Sequence, residues 1–254
     1  MTQSAIGIFD SGIGGLSVLQ QLQSIKPKQD FIYLSDHANM PYGNKTAKQI
    51  QDYSLAICRW LESRGVSLII SACHTSSIIA VDLIRSQINV PIIGMHTALA
   101  AFLKEHRYRS IAMLATPLTV SHGGYPSLIK RLGIDCQIDM LPCPGLVELI
   151  ESKQTATIQR YLNKNLGIVN DNDYDGIVLG CTHYELVKQA ICLELNHSIN
   201  CISIDHWLKP HVHGYLDAFI DCGGRVTYYR TNHGQIQLTP CPTAVQSHRG
   251  QGVV

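Results

Sequence analysis

Two short stretches carry the residues best suited to chemistry. Ala72-Cys73-His74-Thr75 and Gly180-Cys181-Thr182-His183 share a design, in which an apolar run leads to a cysteine followed by hydroxyl and imidazole neighbours. The preceding runs, 67–71 and 176–179, are bounded by small or glycine residues and read as buried parallel strands. Each cysteine then stands where a strand ends and a helix begins, and in open α/β sheets ligands bind just outside the carboxyl ends of strands. Two thiols in matching positions on two similar halves can face each other across a cleft. One thiolate would remove a proton while the opposite thiol returned one to the other face, which inverts a stereocentre. A free thiol titrates near ~8.5 and a helix N-terminus lowers that value, so both thiols are expected to be activated. Asp10 and His183 are candidates for tuning the two proton transfers, with Glu151 a further polar group on the second side. The hydroxyls of Ser11, Thr75, Thr119 and Thr182, with loop amides, suit carboxylates.

Other readings of the same residues carry less. A lone cysteine after an apolar strand is usually a small core residue. The parallel context of Cys73 and Cys181, each followed by a threonine within two positions, argues against that here. A redox pair is disfavoured by the absence of Cys-x-x-Cys. Zinc is disfavoured for the same reason, although His211-x-His213 and His233 form histidine-rich spots; no metal is expected. The loop Asp10-Ser11-Gly12-Ile13-Gly14-Gly15 invites a dinucleotide reading, but Ser17 stands where the third glycine is needed. Cys58, Cys136, Cys192, Cys201 and Cys222 read as core residues, and His37, His96, His122, His197 and His206 as surface or packed histidines.

The elements that must position these groups alternate as strand and helix. In the first half, strands are expected over 5–9, 31–35, 67–73 and 89–94, with helices over 16–25, about 50–61 and 76–88. The second strand runs into a loop, 36–46, that contains the rigid turn Pro41-Tyr42-Gly43. The rhythm restarts with a helix over 96–106 and strands over 110–114, 135–139, 175–180 and 201–205, one helix filling 184–195. A helix over 207–219 is weakened by Pro210 and Gly214, and a short strand follows over 226–231. Two similar parallel-sheet α/β domains result, with the candidate site in the cleft between them. Residues 1–95 plus 207–232 make the first, 96–206 the second, and 240–254 reads as a disordered tail.

Bulk properties exclude several classes. The 254 residues carry a net charge of +1 without a block of like charges, so attraction to nucleic acid or to an anionic membrane is not expected. No apolar run approaches the 18 or so residues that span a bilayer, and the N-terminal residues do not resemble a signal peptide. Nine scattered cysteines suit reduced thiols and a cytoplasmic location.

Four motifs together resemble a known family. Phe9-Asp10-Ser11-Gly12-x-Gly14-Gly15-Leu16-Ser17-Val18, Pro41-Tyr42-Gly43, Ala72-Cys73-x-Thr75 and Leu179-Gly180-Cys181-Thr182-His183-Tyr184 resemble the glutamate racemases of the aspartate/glutamate racemase superfamily, in order and at fitting distances, over about residues 5 to 232. The resemblance implies a cofactor-independent enzyme that interconverts L- and D-glutamate, usually as a dimer, and supplies D-glutamate for peptidoglycan synthesis and hence cell shape. It implies that Cys73 and Cys181 are the acid/base pair, assisted by Asp10, His183 and Glu151. The substrate-binding set it implies is Asp10, Ser11, Pro41, Tyr42, Gly43, Thr75, Thr119, Thr182 and His183, together with position 74. There the sequence departs from the family, since His74 replaces the usual asparagine; Asn39 also replaces a usual arginine, and Met95-His96-Thr97 replaces an acidic position. The departures imply a diverged member altered in rate, pH dependence or substrate, with a racemase of aspartate or a related amino acid, or a non-catalytic regulatory descendant, as the alternatives.

Overall fold

The computed structural model describes residues 5–196, 198–217, 219 and 222–242. The first half opens with β1 (Ile6–Asp10), α1 (Leu16–Ile25) and β2 (Phe31–Ser35). Two 3-10 turns, His37–Asn39 and Tyr42–Asn44, lead to α2 (Ala47–Ser63), β3 (Leu68–Ser71), α3 (His74–Ile84) and β4 (Ile92–Gly94). The second half runs α4 (Met95–Glu105), β5 (Ser110–Ala115), α5 (Pro117–His122), α6 (Gly124–Arg131), β6 (Gln137–Pro142), α7 (Leu146–Glu151), α8 (Thr155–Asn165) and α9 (Gly167–Asn170). It continues with β7 (Gly176–Gly180), α10 (Thr182–Glu185), α11 (Lys188–Leu193), β8 (Asn200–Ile202) and α12 (Ile204–Leu216), before β9 (Val226–Asn232) and β10 (Gln235–Thr239).

These strands form two sheets, ordered β10-β9-β2-β1-β3-β4 and β6-β5-β7-β8. Every pairing is parallel except the β9–β10 hairpin. The central strands β1, β3 and β7 are buried along their whole length, as expected for sheets covered by helices on both faces. One apolar cluster runs from Ile6 and Ile8 through Met95, Leu99 and Trp207 to Ile111, Met113 and Val178, so the two sheets share a core. Helix α12 packs on both α1 and α4.

Several elements differ from the sequence reading. Strand β6 begins at Gln137 and reaches Pro142, because its register is fixed by pairing Ser110 with Gln137 through Ala115 with Pro142. Strand β8 is only three residues long, and Asp205 lies in the first turn of α12, where Ser203 and His206 form a capping box that starts the helix early. Pro210 is accommodated inside α12. The expected helix over 184–195 is instead the two short helices α10 and α11.

Strand β10 was not legible at all. His233 and Gly234 both take positive φ, 45° and 77°, and make the tight turn that folds Gln235–Thr239 back on β9. His233 is therefore a hairpin residue, and the first sheet extends past residue 232. Of the expected tail, 243–254 lies outside the described residues, as does His197. Cys58 is buried as expected, whereas Cys136, Cys192, Cys201 and Cys222 are only half-buried. His96 is buried, while His37, His122 and His206 lie at the surface. Among the described residues no helix is long and apolar enough to cross a membrane.

Candidate active site

Cys73 follows β3 and is the N-cap residue of α3; Cys181 follows β7 and is the N-cap residue of α10. Both have extended backbones and accept the first helical hydrogen bonds, from Ser77 N to Cys73 O at 2.9 Å and from Tyr184 N to Cys181 O at 3.0 Å. Both side chains are buried. Asp10 ends β1, the strand beside β3, which sets its carboxylate next to the Cys73 turn. Its Oδ2 accepts from Gly12 N at 3.0 Å, and its Oδ1 accepts from Thr182 Oγ1 at 3.1 Å. That second bond ties the β1 turn of one sheet to the β7 turn of the other.

The Cys181 side holds a relay. His183 Nδ1 lies 3.9 Å from Cys181 Sγ, and its Nε2 lies 2.7 Å from Glu151 Oε1 at the end of α7. Ile13 N donates to the same carboxylate oxygen at 3.1 Å, a second bond between the halves. The glycines of the β1–α1 loop make this approach possible. A Cβ on Gly14 would stand 2.6 Å from His183 N, and one on Gly12 would collide with Glu151 Oε1. The glycine loop therefore receives the opposite half of the protein, which explains why the third glycine of a dinucleotide loop is not needed.

Burial dominates the electrostatics and reverses one expectation. Burial, with the Asp10 charge, pushes Cys73 up to about 11, against which the Ser76 and Thr75 amides at the start of α3 pull weakly. Cys181 is pushed well above the usual thiol value by burial and by the charge of Cys73, and its helix, a single turn, opposes this with one His183 N–H bond. Helix N-termini thus fail to activate these thiols, because desolvation of a thiolate exceeds what one turn of amides returns. Asp10 is raised by burial, opposed by the charge of His183 and by the Gly12, Gly15 and Thr182 bonds. Burial also acts to raise Glu151, but the hydrogen bond and charge of His183 and the Ile13 amide outweigh it and hold the carboxyl below its usual range.

The remaining predicted residues gather around the two cysteines. Ser11 is buried in the turn after Asp10, and Thr182 caps the far side of it. Thr75 and Thr119 are 2.9 Å apart through their hydroxyls, and Thr116 completes a triangle at 3.0 and 2.9 Å. Gly43 is pressed on Thr116, where a Cβ would come within 2.6 Å of the threonine Cβ. Pro41 precedes this turn, and the buried Tyr42 donates its hydroxyl to Asp36 Oδ2 at 2.6 Å. His74 is buried, with its Nδ1 2.6 Å from the Tyr125 hydroxyl.

Three residues of this assembly were missed. Asp36 accepts from Asn39 Nδ2 at 3.0 Å, from Tyr42, and from Thr231 Oγ1 at 2.6 Å, so it anchors the Pro41-Tyr42-Gly43 turn and ties β9 to it. Thr116 follows β5, and Asp36 follows β2 as Asp10 ends β1; the strand-end rule could have named both. Tyr125, in the first turn of α6, carried no such signal. Among the described residues no group of three or more histidine, cysteine or acidic side chains could hold a metal ion.

Comparison with known proteins agrees with this architecture. Residues 14–204 match the family model described as Asp/Glu/Hydantoin racemase. A curated glutamate racemase of Clostridium botulinum (strain Alaska E43 / Type E3) is 36% identical over 200 residues, covering 78% of each chain. The crystal structure of glutamate racemase from Francisella tularensis subsp. tularensis SCHU S4 in complex with D-glutamate superimposes with a TM-score of 0.82 at 26% identity, over 96% of this chain and 91% of that one. Glutamate racemase from Aquifex pyrophilus does so with a TM-score of 0.74 at 30% identity, over 91% and 90%. A family match across most of the chain, together with a relative 36% identical over 78% of it, places this protein in the Asp/Glu/Hydantoin racemase family.

Proposed function

We propose that the protein interconverts L- and D-glutamate without a cofactor, through proton transfer by Cys73 and Cys181. The observation that carries the reading is the matched placement of the two cysteines as N-cap residues at the strand ends of two sheets, joined by the Asp10–Thr182 hydrogen bond. The curated relatives named glutamate racemase and the D-glutamate complex of the Francisella protein supply the substrate.

In this mechanism one sulfur removes the α-proton and the opposite sulfur delivers another. The α-ammonium of a bound amino acid, placed near the sulfurs, stabilises the thiolate that burial otherwise disfavours. Asp10 serves the Cys73 side, and the Glu151–His183 pair accepts or returns a proton at Cys181. Ser11, Thr75, Thr119 and Thr182, with the Pro41-Tyr42-Gly43 turn, hold the carboxylates, and His74 joins them. The domain division at 95 and 206, with the chain returning to the first unit from 207, fits the way β9 and β10 complete the first sheet. A homodimer, a cytoplasmic location and a supply of D-glutamate for peptidoglycan rest on the resemblance to the family.

The substitution at His74 favours one second reading, a racemase of aspartate or a related amino acid. Incubation with L-glutamate in deuterated water, followed by proton NMR and circular dichroism, decides. Loss of the α-proton signal together with loss of optical rotation is the expected result. Absence of both, with turnover of L-aspartate under the same conditions, overturns the glutamate reading.

A further inference from the structure

His74 directly follows Cys73, and its ring is enclosed on three sides. Tyr125 of α6 meets Nδ1 at 2.6 Å, Trp207 of α12 packs edge-on with ring centres 5.6 Å apart, and α3 itself lies behind. Both His74 and Tyr125 are buried, and the Tyr125 hydroxyl has no other hydrogen-bond partner among the described residues. Its proton therefore has one place to go. If Nδ1 carried the imidazole proton, the phenol proton would be left buried and unpaired, which is costly. The phenol O–H accordingly donates to Nδ1, and the imidazole proton sits on Nε2.

We propose that Tyr125 is a positioning residue, which locks His74 in the Nε2–H tautomer so that the ring presents one fixed, neutral N–H donor beside Cys73 to a carboxylate oxygen of the amino-acid substrate. The inference rests on the racemase reading for its ligand but not for its geometry. A neutral donor suits this position better than a cation, because an imidazolium next to Cys73 would compete with the substrate ammonium for the thiolate. The groups that face the ring keep it neutral. Burial pushes His74 down to about 3, the charge of His96 of α4 lowers it further, and Tyr125 stays a phenol because burial and the Cys73 charge hold its proton well above the usual range.

Tyr125→Phe removes one oxygen and keeps the packing, and His74→Asn supplies an amide donor that needs no tautomer. The first measurement is a long-range ¹H–¹⁵N spectrum of the imidazoles, with the His74 signals assigned by their loss in H74N. Wild type is expected to show Nδ1 as an unprotonated, hydrogen-bonded nitrogen and Nε2 as protonated, unchanged on lowering the pH to 5. Y125F is expected to give a mixture of tautomers. The second is kinetic. Y125F should raise KM about tenfold with kcat changed less, and the same substitution in the H74N background should change neither, because its effect passes through the imidazole. A protonated Nδ1 in wild type, or an equal loss from Y125F in both backgrounds, overturns the proposal. If wild type fails to racemise any amino acid, the racemase reading falls, while the nitrogen shifts still decide the tautomer.

Discussion

The two cysteine ends are alike in backbone and unlike in everything that moves a proton. Each thiol caps a helix after a buried parallel strand. At Cys181 the next polar group is an imidazole backed by a carboxylate, His183 to Glu151 at 2.7 Å, a chain that can carry a proton away from the sulfur. At Cys73 the neighbours are the buried carboxyl of Asp10, hydroxyls, and an imidazole whose Nδ1 is committed to Tyr125. In the proposed mechanism, repetition of a strand–cysteine–helix unit supplies the two sides of the chemistry. The residues behind the cysteines are not repeated, and in that mechanism they set how each side exchanges its proton.

Removing either sulfur tests the shared part of the comparison. C73S and C181S should each lower racemisation by at least about 10³-fold, since general acid–base groups contribute 10²–10⁴. Polarimetry with both enantiomers measures it, and a variant that keeps near-normal turnover would end the two-thiol account. Exchange of the α-proton with deuterium should survive for one enantiomer in each variant, and the surviving enantiomer should differ between them.

Breaking the relay tests the difference. E151Q leaves the His183 ring a partner but removes the charge behind it, and about 10²-fold is expected to be lost from kcat. Enantiomers have equal free energy, so kcat/KM must fall equally in both directions. The asymmetry appears instead in the isotope effect, which should rise for the α-deuterated enantiomer that gives its proton to Cys181 and not for the other. A rise for both would mean that Glu151 serves the whole site.

Stability against pH separates adjacent residues. His74 takes a proton near 3 in the folded chain and near 6.5 when free, so the unfolded chain binds more protons between these values. Its contribution to stability is complete above 6.5 and falls as pH drops toward 3. Cys73 loses its proton near 11 when folded and near 9.0 when free, so its contribution is complete below 9.0 and is lost as pH rises toward 11. Urea denaturation of H74N should therefore show a flatter acid limb than wild type, and C73S a flatter alkaline limb. His96, buried and lowered to about 4, lowers His74 through its charge, so H74N removes that interaction along with the His74 proton.

The smallest effect is expected where the halves meet at the surface. Asn44 donates to Glu148 of α7 at 2.9 Å, but both are exposed. N44A should cost about 0.5 kcal/mol in urea denaturation. A much larger loss would make this bond a clamp on the cleft.

Much of the site was legible because strand ends are local features. Cys73, Cys181 and Asp10 follow apolar runs, and the rule that ligands lie beyond carboxyl ends of parallel strands places them without a structure. Thr116 and Asp36 stand at strand ends under the same rule, and neither was singled out. Strand β10 was hidden by its polarity. Gln235, Gln237 and Leu238 are exposed on an edge strand, so its alternation carries little apolar signal.

The sequence by itself determined the alternation of strand and helix, the parallel sheets that follow from it, and which residues stand at their ends, because periodicity and glycine placement act over a few residues. Tertiary structure alone decided the partnerships. Glu151 reaches Ile13 and His183, Thr182 reaches Asp10, and Tyr125 reaches His74 only when the two sheets close on a common core. It also decided the proton affinities. A helix N-terminus predicted activated thiols, and burial, which no local pattern reports, raised both of them.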